Sequence, residues 1–442
     1  MKRINIGLLG CGTVGTGVVK ILIENADLLD ARVGARLHLK RVADIDIKRD
    51  RGVRFEEGVL TTDARSVADD PEIDIILEMI GGQGIAKELM LRAIRNGKHV
   101  VTANKALLAS QGNEIFQAAA NRGVDLAYEA SVGGCMPIIK TLREALVGNR
   151  IKSMTGILNG TCNYILTKIE EEGISFQAAL SDAQAKGFAE ADPALDVEGH
   201  DTAHKLTILT SLAYGTEVDL NDIYIEGISD ITPMDIHFAA QFGYKIKLLA
   251  IGKNFGHGIE ARVHPTMIPL SNPLSNVSGT LNAVTVAGDA IDRIMLYGHG
   301  AGMMPTASAV ISDTVDIARN LLHGAVGRVP LLSYQMENRK KIPILSIDEI
   351  RTQYYFRLSV LDRPKVLSTI SGILGNHGIS IKTVHQKGRK TNGSVPIVMT
   401  THLANELDMK KALSEIAPLD VVSEKPMVIR IEDEEVDEYR IE

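Results

Sequence analysis

An α/β fold is predicted for the N-terminal third of this 442-residue chain: a doubly wound parallel sheet, followed by an α+β region and a small C-terminal sandwich. Three observations predict it. The chain opens with an aliphatic, β-branched run over residues 4–9, turns at Gly10-Cys11-Gly12-Thr13-Val14-Gly15, and enters an amphipathic stretch to about Glu24, the order strand, glycine turn, helix. Further apolar strands then alternate with helical stretches, which calls for parallel strands with helices on both faces. The end of the chain reads strand, helix, strand, strand, helix, strand, a ferredoxin-like βαββαβ sandwich.

The later strands of the first region fall at residues 37–43, 73–79, 99–102 and 125–128, with helices at 86–96 and 113–121 between them. From Pro137 to about Gly300 longer helical stretches (138–148, 161–172, 176–186, 201–214) precede β-branched segments, the signature of a separate α+β domain. The helical stretch 306–322 is expected to pack back on the first domain. The predicted divisions are 1–136, completed by about 303–335; 137–302 for substrate and dimerisation; a polar connector at 336–352; the sandwich at 353–432, with a turn at Asn392-Gly393; and an acidic tail at 433–442. The acidic run from Glu432 to Glu438 reads as solvated and functionally silent, and truncation near Gln335 is expected to leave a folded core.

Composition removes several classes of function. Hydrophobic residues at 45% and charged residues at 23% are globular averages, so neither disorder nor a fibrous repeat applies. A net charge of -7 without basic runs interleaved with aromatics argues against a nucleic-acid surface. Cys11, Cys135 and Cys162 have no CxxC spacing, which fits a reducing compartment. The apolar segment after Met1-Lys2-Arg3 is too brief for a signal peptide, and no run approaches the roughly 20 apolar residues of a membrane span. These features predict a cytoplasmic protein acting on a small molecule.

The glycine turn carries the first chemistry. Gly10 permits a tight turn, Gly12 lets backbone approach a pyrophosphate, and Gly15 allows close helix packing, while the helix N-terminus offers partial positive charge. This is a Rossmann-type dinucleotide site, with Thr13 and Val14 at the phosphate and ribose end. Asp44, after the second strand, suits the ribose hydroxyls of NAD, whereas Lys48, Arg49 and Arg51 nearby could receive the phosphate of NADP, so both cofactors stay open. Lys105, in Thr102-Ala103-Asn104-Lys105, follows the fourth strand at the carboxyl edge of the sheet, where such folds bind ligands.

A second cluster is the acid-rich stretch from Gly187 to Leu206. Asp201 and Lys205 are four apart and share a helix face, which orients the ammonium. A substrate bearing an amino group would find counter-charges among Glu190, Asp196 and Asp201. His200 and His204 share that spacing, but no third ligand accompanies them and the metalloprotease glutamate is replaced by Asp201, so they read as polar-face residues.

Taken together, these stretches resemble the homoserine dehydrogenase family, in the longer microbial form with a C-terminal ACT domain. The resemblance rests on the glycine turn, Glu78-Met79-Ile80-Gly81-Gly82, Ala103 to Ala109, Tyr128 to Gly134, Leu158-Asn159-Gly160-Thr161, the acid-rich stretch, and Gly300-Ala301-Gly302 before Pro305-Thr306-Ala307. It implies reversible NAD(P)H-dependent reduction of L-aspartate 4-semialdehyde to L-homoserine, in the biosynthesis of threonine, methionine and isoleucine. It further implies Lys205 as proton donor, Lys105 beside the nicotinamide and the reacting oxygen, Glu190 on the substrate ammonium with Asp196 and Asp201 supporting, and Gly302 in the cofactor site. By the same resemblance a monovalent cation, sodium, would sit in the loop of Glu129, Val132, Gly134 and Met136, the assembly would be a homodimer or homotetramer, and an amino-acid effector would address the ACT domain. Two residues depart from the family pattern: His299 replaces a proline, and Lys365 replaces the glycine of Asp-Arg-Pro-Gly, which predicts weak or absent threonine feedback.

Two rival readings are an aldehyde dehydrogenase forming an acyl-enzyme at Cys135, and a non-catalytic sensor. The first lacks an identifiable base for its thiol. The second leaves Lys105 and Lys205 unexplained.

Overall fold

The strand Arg3–Leu9 (β1) is the axis about which the first part of the chain is built, because Ile6, Leu8 and Leu9 are fully buried and each contributes about 1.5–3 kcal/mol by leaving water. In this computed structural model, which describes residues 2–386 and 393–433, β1 is joined by Arg36–Ala43 (β2), Leu60–Thr61 (β3), Ile75–Glu78 (β4), His99–Thr102 (β5) and Leu126–Ala127 (β6). All pair in parallel, in the order β3-β2-β1-β4-β5-β6. The strand order reverses between β1 and β4, the place where doubly wound sheets receive ligands beyond the carboxyl ends of their strands.

Helix Thr13–Glu24 (α1) follows β1 after the glycine turn. Ala26–Val33 (α2), Ala64–Asp69 (α3), Gly84–Arg95 (α4) and Lys105–Arg122 (α5) supply the crossovers. Asn104 caps α5, its side-chain oxygen accepting from the Leu107 amide at 3.2 Å. The later helix Met303–His323 returns to this sheet as expected: Ala307, Val310 and Ile311 share one apolar cluster with Val18, Val19 and Leu22 of α1. Gly17 makes this approach feasible, since a Cβ there would stand 2.8 Å from the Met303 carbonyl oxygen.

By packing, the chain forms two units, residues 1–160, 201–221 and 281–342 in one, and 161–200, 222–280 and 343–442 in the other. The first holds the parallel sheet together with an antiparallel ribbon in which Leu281–Gly288 pairs with both Ile151–Ile157 and Asp292–His299. The second holds the hairpin Tyr244–Asn254 and Ile259–Pro269 and the C-terminal βαββαβ elements, Arg351–Leu361, Val366–Asn376, Ile381–Gln386, Ser394–Thr401, Glu406–Ile416 and Met427–Ile431. These divisions cut across those drawn from the sequence. The reason is pairing: Met427–Ile431 runs parallel to Ile259–Pro269, with Thr266 opposite Arg430 and Met267 opposite Ile431, so the sandwich shares a sheet with the preceding hairpin.

The reading of Glu432 as solvated is corrected by the same contact. Glu432 is buried, 2.6 Å from Lys253 Nζ and hydrogen-bonded to Arg262, itself almost fully buried. Burial alone would raise its carboxyl, but Lys253 and Arg262 hold it well below the ordinary range. The turn residue Asn392 and the tail from residue 434 lie outside the described residues. Truncation at Gln335 therefore has a different expected outcome. It strips the paired strand Met427–Ile431 from the hairpin and takes Glu432 from Lys253 and Arg262, so the apolar edge that strand covered is laid open to water. Thermal unfolding of the truncated chain is expected to show no cooperative transition near that of the full chain. A transition within a few degrees of the parent's would show that the hairpin stands alone.

Candidate active site

Three chain segments of the first unit converge on one buried carboxylate. Lys105 begins α5 at the carboxyl end of β5, Leu158 and Asn159 follow the strand Ile151–Ile157, and Asp201 and Lys205 lie one turn apart on the helix His200–Tyr214. Asp201 Oδ2 accepts from Lys205 Nζ at 2.7 Å and from Asn159 Nδ2 at 2.9 Å, while Oδ1 lies 3.2 Å from Lys105 Nζ. Lys205 Nζ also donates to the Leu158 carbonyl at 2.6 Å, so two of its three donors are fixed. Burial would push the Asp201 carboxyl up, yet the ammoniums of Lys205 and Lys105, with the Asn159 amide, hold it well below the usual carboxylate range. The side chains of Lys205 and Asp201 are buried, whereas that of Lys105 is 41% exposed, so the cluster presents one sheltered and one accessible ammonium.

The strand ends that precede Lys105 are joined through Glu78. Its carboxylate, fully buried at the end of β4, accepts from the amides of Ile80 at 2.8 Å and Gly81 at 3.1 Å and from Thr102 Oγ1 at 2.6 Å. Asn104 Nδ2 in turn donates to the Gly82 carbonyl at 2.7 Å. The ends of β4 and β5 are thus tied together immediately before Lys105.

The glycine turn has the shape a pyrophosphate requires. A Cβ on Gly15 would fall 2.2 Å from the Gly10 carbonyl oxygen, Gly10 adopts φ +90° against the Met79 and Ile80 backbone, and the space beside Gly12 is open. Gly12 caps α1, whose first turn exposes Thr13 and half-buries Val14 against the apolar cluster. Gly302, with φ +132°, caps the helix packed on α1. Asp44 is differently placed from a lone ribose acceptor: Oδ2 accepts from the Cys11 amide at 2.6 Å and Oδ1 lies 3.0 Å from Arg51 Nη2. Arg51 Nε also donates to the Cys11 carbonyl at 2.8 Å. The acid is therefore paired with a cation at the turn itself.

In the loop that follows β6, Glu129 is buried and both carboxylate oxygens accept backbone amides, those of Ile139 and Lys140, at 2.8 Å. Burial first, and Asp313 next, push its carboxyl up to about 8 despite those two amides. Val132 and Met136 are buried beside it, and Gly133 and Gly134 adopt consecutive left-handed conformations.

Glu190 and Asp196 belong to the second unit. Glu190 is exposed, in a run held by Thr161 Oγ1 donating to the Phe188 carbonyl at 2.7 Å and by Gln184 Nε2 donating to the Glu190 carbonyl at 3.0 Å. Asp196 lies in the short helix Ala194–Val197, its carbonyl facing Cys162 Sγ at 3.1 Å. Asp201 differs from both: it is buried, and its oxygens lie against two lysines and an amide.

Comparison with known proteins decides the family. Residues 137–315 match the homoserine dehydrogenase family, residues 10–129 its NAD-binding domain, and residues 354–420 the ACT domain. Homoserine dehydrogenase from Neisseria gonorrhoeae is 44% identical over 98% of this chain and 99% of its own. The chain belongs to the homoserine dehydrogenase family. A homoserine dehydrogenase crystal structure from Thiobacillus denitrificans superposes with a TM-score of 0.93 at 46% identity, over 98% of this chain and 99% of that one. The enzyme from Pseudomonas aeruginosa is 43% identical over the same shares of the two chains. As a family member the chain is an NAD(P)-dependent oxidoreductase with an ACT domain, which removes both the acyl-enzyme and the sensor readings.

In the sequence, Leu158-Asn159 and Glu78 stand out only as motif residues, with no role attached. Asn159 holds Asp201, and Glu78 ties the strand ends that precede Lys105. For Glu78 a signal was present in the sequence, an acid closing an otherwise apolar strand just before Gly81-Gly82.

Proposed function

We propose that the Lys105–Asp201–Lys205 cluster performs the proton transfer in the reversible reduction of L-aspartate 4-semialdehyde to L-homoserine. The observation that carries it is the shared Asp201 carboxylate, which fixes two ammoniums from distant parts of the chain on one small volume at the carboxyl edge of the parallel sheet. The nicotinamide nucleotide supplies the hydride when bound. Reduction of an aldehyde places negative charge on its oxygen, and a positioned ammonium both stabilises and protonates that oxygen. Lys205 has a donor left for it after binding Leu158 and Asp201. Lys105, more accessible, orients the same oxygen. In the reverse direction Lys205 holds the hydroxyl proton of L-homoserine.

Residues 10–15 and Gly302 fit the nucleotide, as the open space at Gly12 and the enforced closeness of Gly15 indicate. Its adenosine end meets Asp44 and Arg51 together. Asp44→Ser is expected to raise the kcat/KM ratio of NADP(H) over NAD(H) by about tenfold, and Arg51→Ala to lower it, because specificity is a difference of affinities. A ratio unmoved by either substitution would remove this pair from cofactor choice.

Glu190, with Asp196 beside it in the chain, is proposed to recognise the substrate ammonium. Glu190→Gln keeps the shape and removes the charge, so the substrate KM should rise by about tenfold with kcat nearly unchanged. An effect confined to cofactor KM would contradict this role.

The loop of Glu129, Val132, Gly134 and Met136 suits a monovalent cation such as sodium through its carbonyls, and a cation there would favour the ionised forms of Glu129 and Asp313, whose carboxyls burial raises; the Glu129 carboxyl oxygens themselves are engaged by amides. An amino-acid effector is proposed at the ACT domain, where a cavity of about 510 Å³ is lined by Arg363, Lys365, Ser368 and Gln386. Lys365 adopts φ +74°, a left-handed conformation that favours glycine, so a side chain at this turn is held at a backbone cost. Self-association into a homodimer or homotetramer and a cytoplasmic location complete the proposal. Among the described residues no helix is long and apolar enough to cross a membrane, and Cys11, Cys135 and Cys162 form no disulfide.

The experiment is consumption of NAD(P)H with L-aspartate 4-semialdehyde in phosphate-free buffer. Stoichiometric formation of L-homoserine is expected. No turnover, with either nucleotide, would overturn the reading.

A further inference from the structure

The short segment of residues 298–302 joins the strand Asp292–His299 to the helix Met303–His323, and its backbone is enclosed from two sides. A Cβ on Gly134 would stand 2.6 Å from both the His299 carbonyl oxygen and the Gly300 carbonyl carbon. From the other side, a Cβ on Gly300 would fall 1.9 Å from Nδ2 and 2.2 Å from Cγ of Asn282. The Cys135 amide donates to the His299 carbonyl at 3.2 Å, which pins the segment just before Gly300. Just after Gly302 the chain is pinned again, because the Met303 carbonyl lies against Gly17 of α1. Between these two fixed points lie Gly300, half-buried, and Ala301 and Gly302, both exposed, with the Gly302 carbonyl accepting the Thr306 amide at 3.1 Å.

Asn282 faces this stretch. It is fully buried on Leu281–Gly288, opposite Gly298 in the ribbon, yet neither Nδ2 nor Oδ1 has a hydrogen-bond partner. An unpaired buried polar atom costs about 1–3 kcal/mol, and folded proteins seldom retain two on one side chain. A leucine of similar size would incur no such cost. The carboxamide therefore serves an arrangement in which its neighbours stand slightly differently, and the neighbours able to do so are the peptide groups of residues 300–302.

We propose that Asn282 is a positioning residue for the nicotinamide nucleotide: its carboxamide pairs with the peptide groups of residues 300–302 in the nucleotide-loaded enzyme and fixes the segment that caps the helix packed on the dinucleotide turn. The proposal rests on the reading of residues 10–15 and Gly302 as the cofactor site. Asn282 touches neither substrate nor reacting atoms. Its effect passes through Gly302 and the start of the helix Met303–His323, which is held to α1.

The test compares the parent with Asn282→Leu and Asn282→Ser by thermal unfolding without nucleotide and by fluorescence titration with NADH and NADPH. Asn282→Leu is expected to unfold at or above the parent temperature without nucleotide, since it removes two unpaired polar atoms, while its nucleotide Kd rises about tenfold. Asn282→Ser, smaller but still polar, should recover part of the affinity and provides the reading if the leucine variant misfolds. An unchanged nucleotide Kd in both variants, or a lower unfolding temperature without any change in Kd, would make Asn282 a purely structural residue and overturn the proposal. Failure of the parent to bind either nucleotide would instead overturn the reading of the cofactor site.

Discussion

Lys205→Ala is expected to lower kcat for semialdehyde reduction by about 100-fold or more, the scale typical of losing a positioned general acid. The nucleotide Kd should stay within about twofold of the parent, because the lysine is bound to Leu158 and Asp201 and not to the glycine turn. Rate and stability separate here. Removing Lys205 leaves Asp201 with Lys105 and Asn159 still beside it, so the carboxylate keeps two partners and the fold should survive. Steady-state kinetics with both nucleotides, alongside thermal unfolding, would check this. Turnover within a few-fold of the parent would remove Lys205 from the mechanism.

Asp201→Asn attacks the cluster from its centre and is expected to harm both stability and turnover. It leaves the sheltered Lys205 ammonium without its counter-charge, a loss on the order of 3 kcal/mol for breaking a buried pair. The Lys105 contact adds little to that figure, since its side chain is 41% exposed and solvent screens it. Turnover should fall by about 100-fold through misplacement of both ammoniums, a geometric effect rather than loss of a reacting group. Denaturant unfolding and kcat measured on one preparation would show the two losses together. A variant with parental stability and parental kcat would mean that the lysines are held by something other than Asp201.

How much of this was legible in the sequence depended on the distance over which each residue acts. The glycine turn, the parallel alternation and the Asp201–Lys205 pair are local patterns, fixed by periodicity and spacing within one or two elements, and they stand where expected. Lys105 could be placed at a strand end, but nothing local tells that it shares a carboxylate with Lys205, because that meeting joins segments brought together only by the fold. The same limit hides that the Asp201 oxygens lie against both lysines at once. Asp44 and Arg51 read in the sequence as alternatives for the nucleotide, and that they pair with each other shows only in the fold, where Arg51 reaches back to Asp44. Glu432 was lost for a compositional reason. It begins an acidic run that reads as solvent-facing, and its partners Lys253 and Arg262 lie far back in the chain. The polar stretch at 336–352 likewise reads as a dispensable connector, yet the strand it precedes pairs with Met427–Ile431 and through it joins the hairpin.

The central claim is that Lys105 and Lys205, joined by Asp201, act as one proton-transfer unit. It is tested most directly by a double-mutant cycle on single-turnover reduction, followed by nucleotide absorbance in Lys105→Ala, Lys205→Ala and the double variant. Residues acting as a unit are strongly non-additive. The double variant is therefore expected to be no more than a few-fold slower than Lys205→Ala alone. Full multiplication of the two single losses would contradict the account and assign the lysines to independent steps.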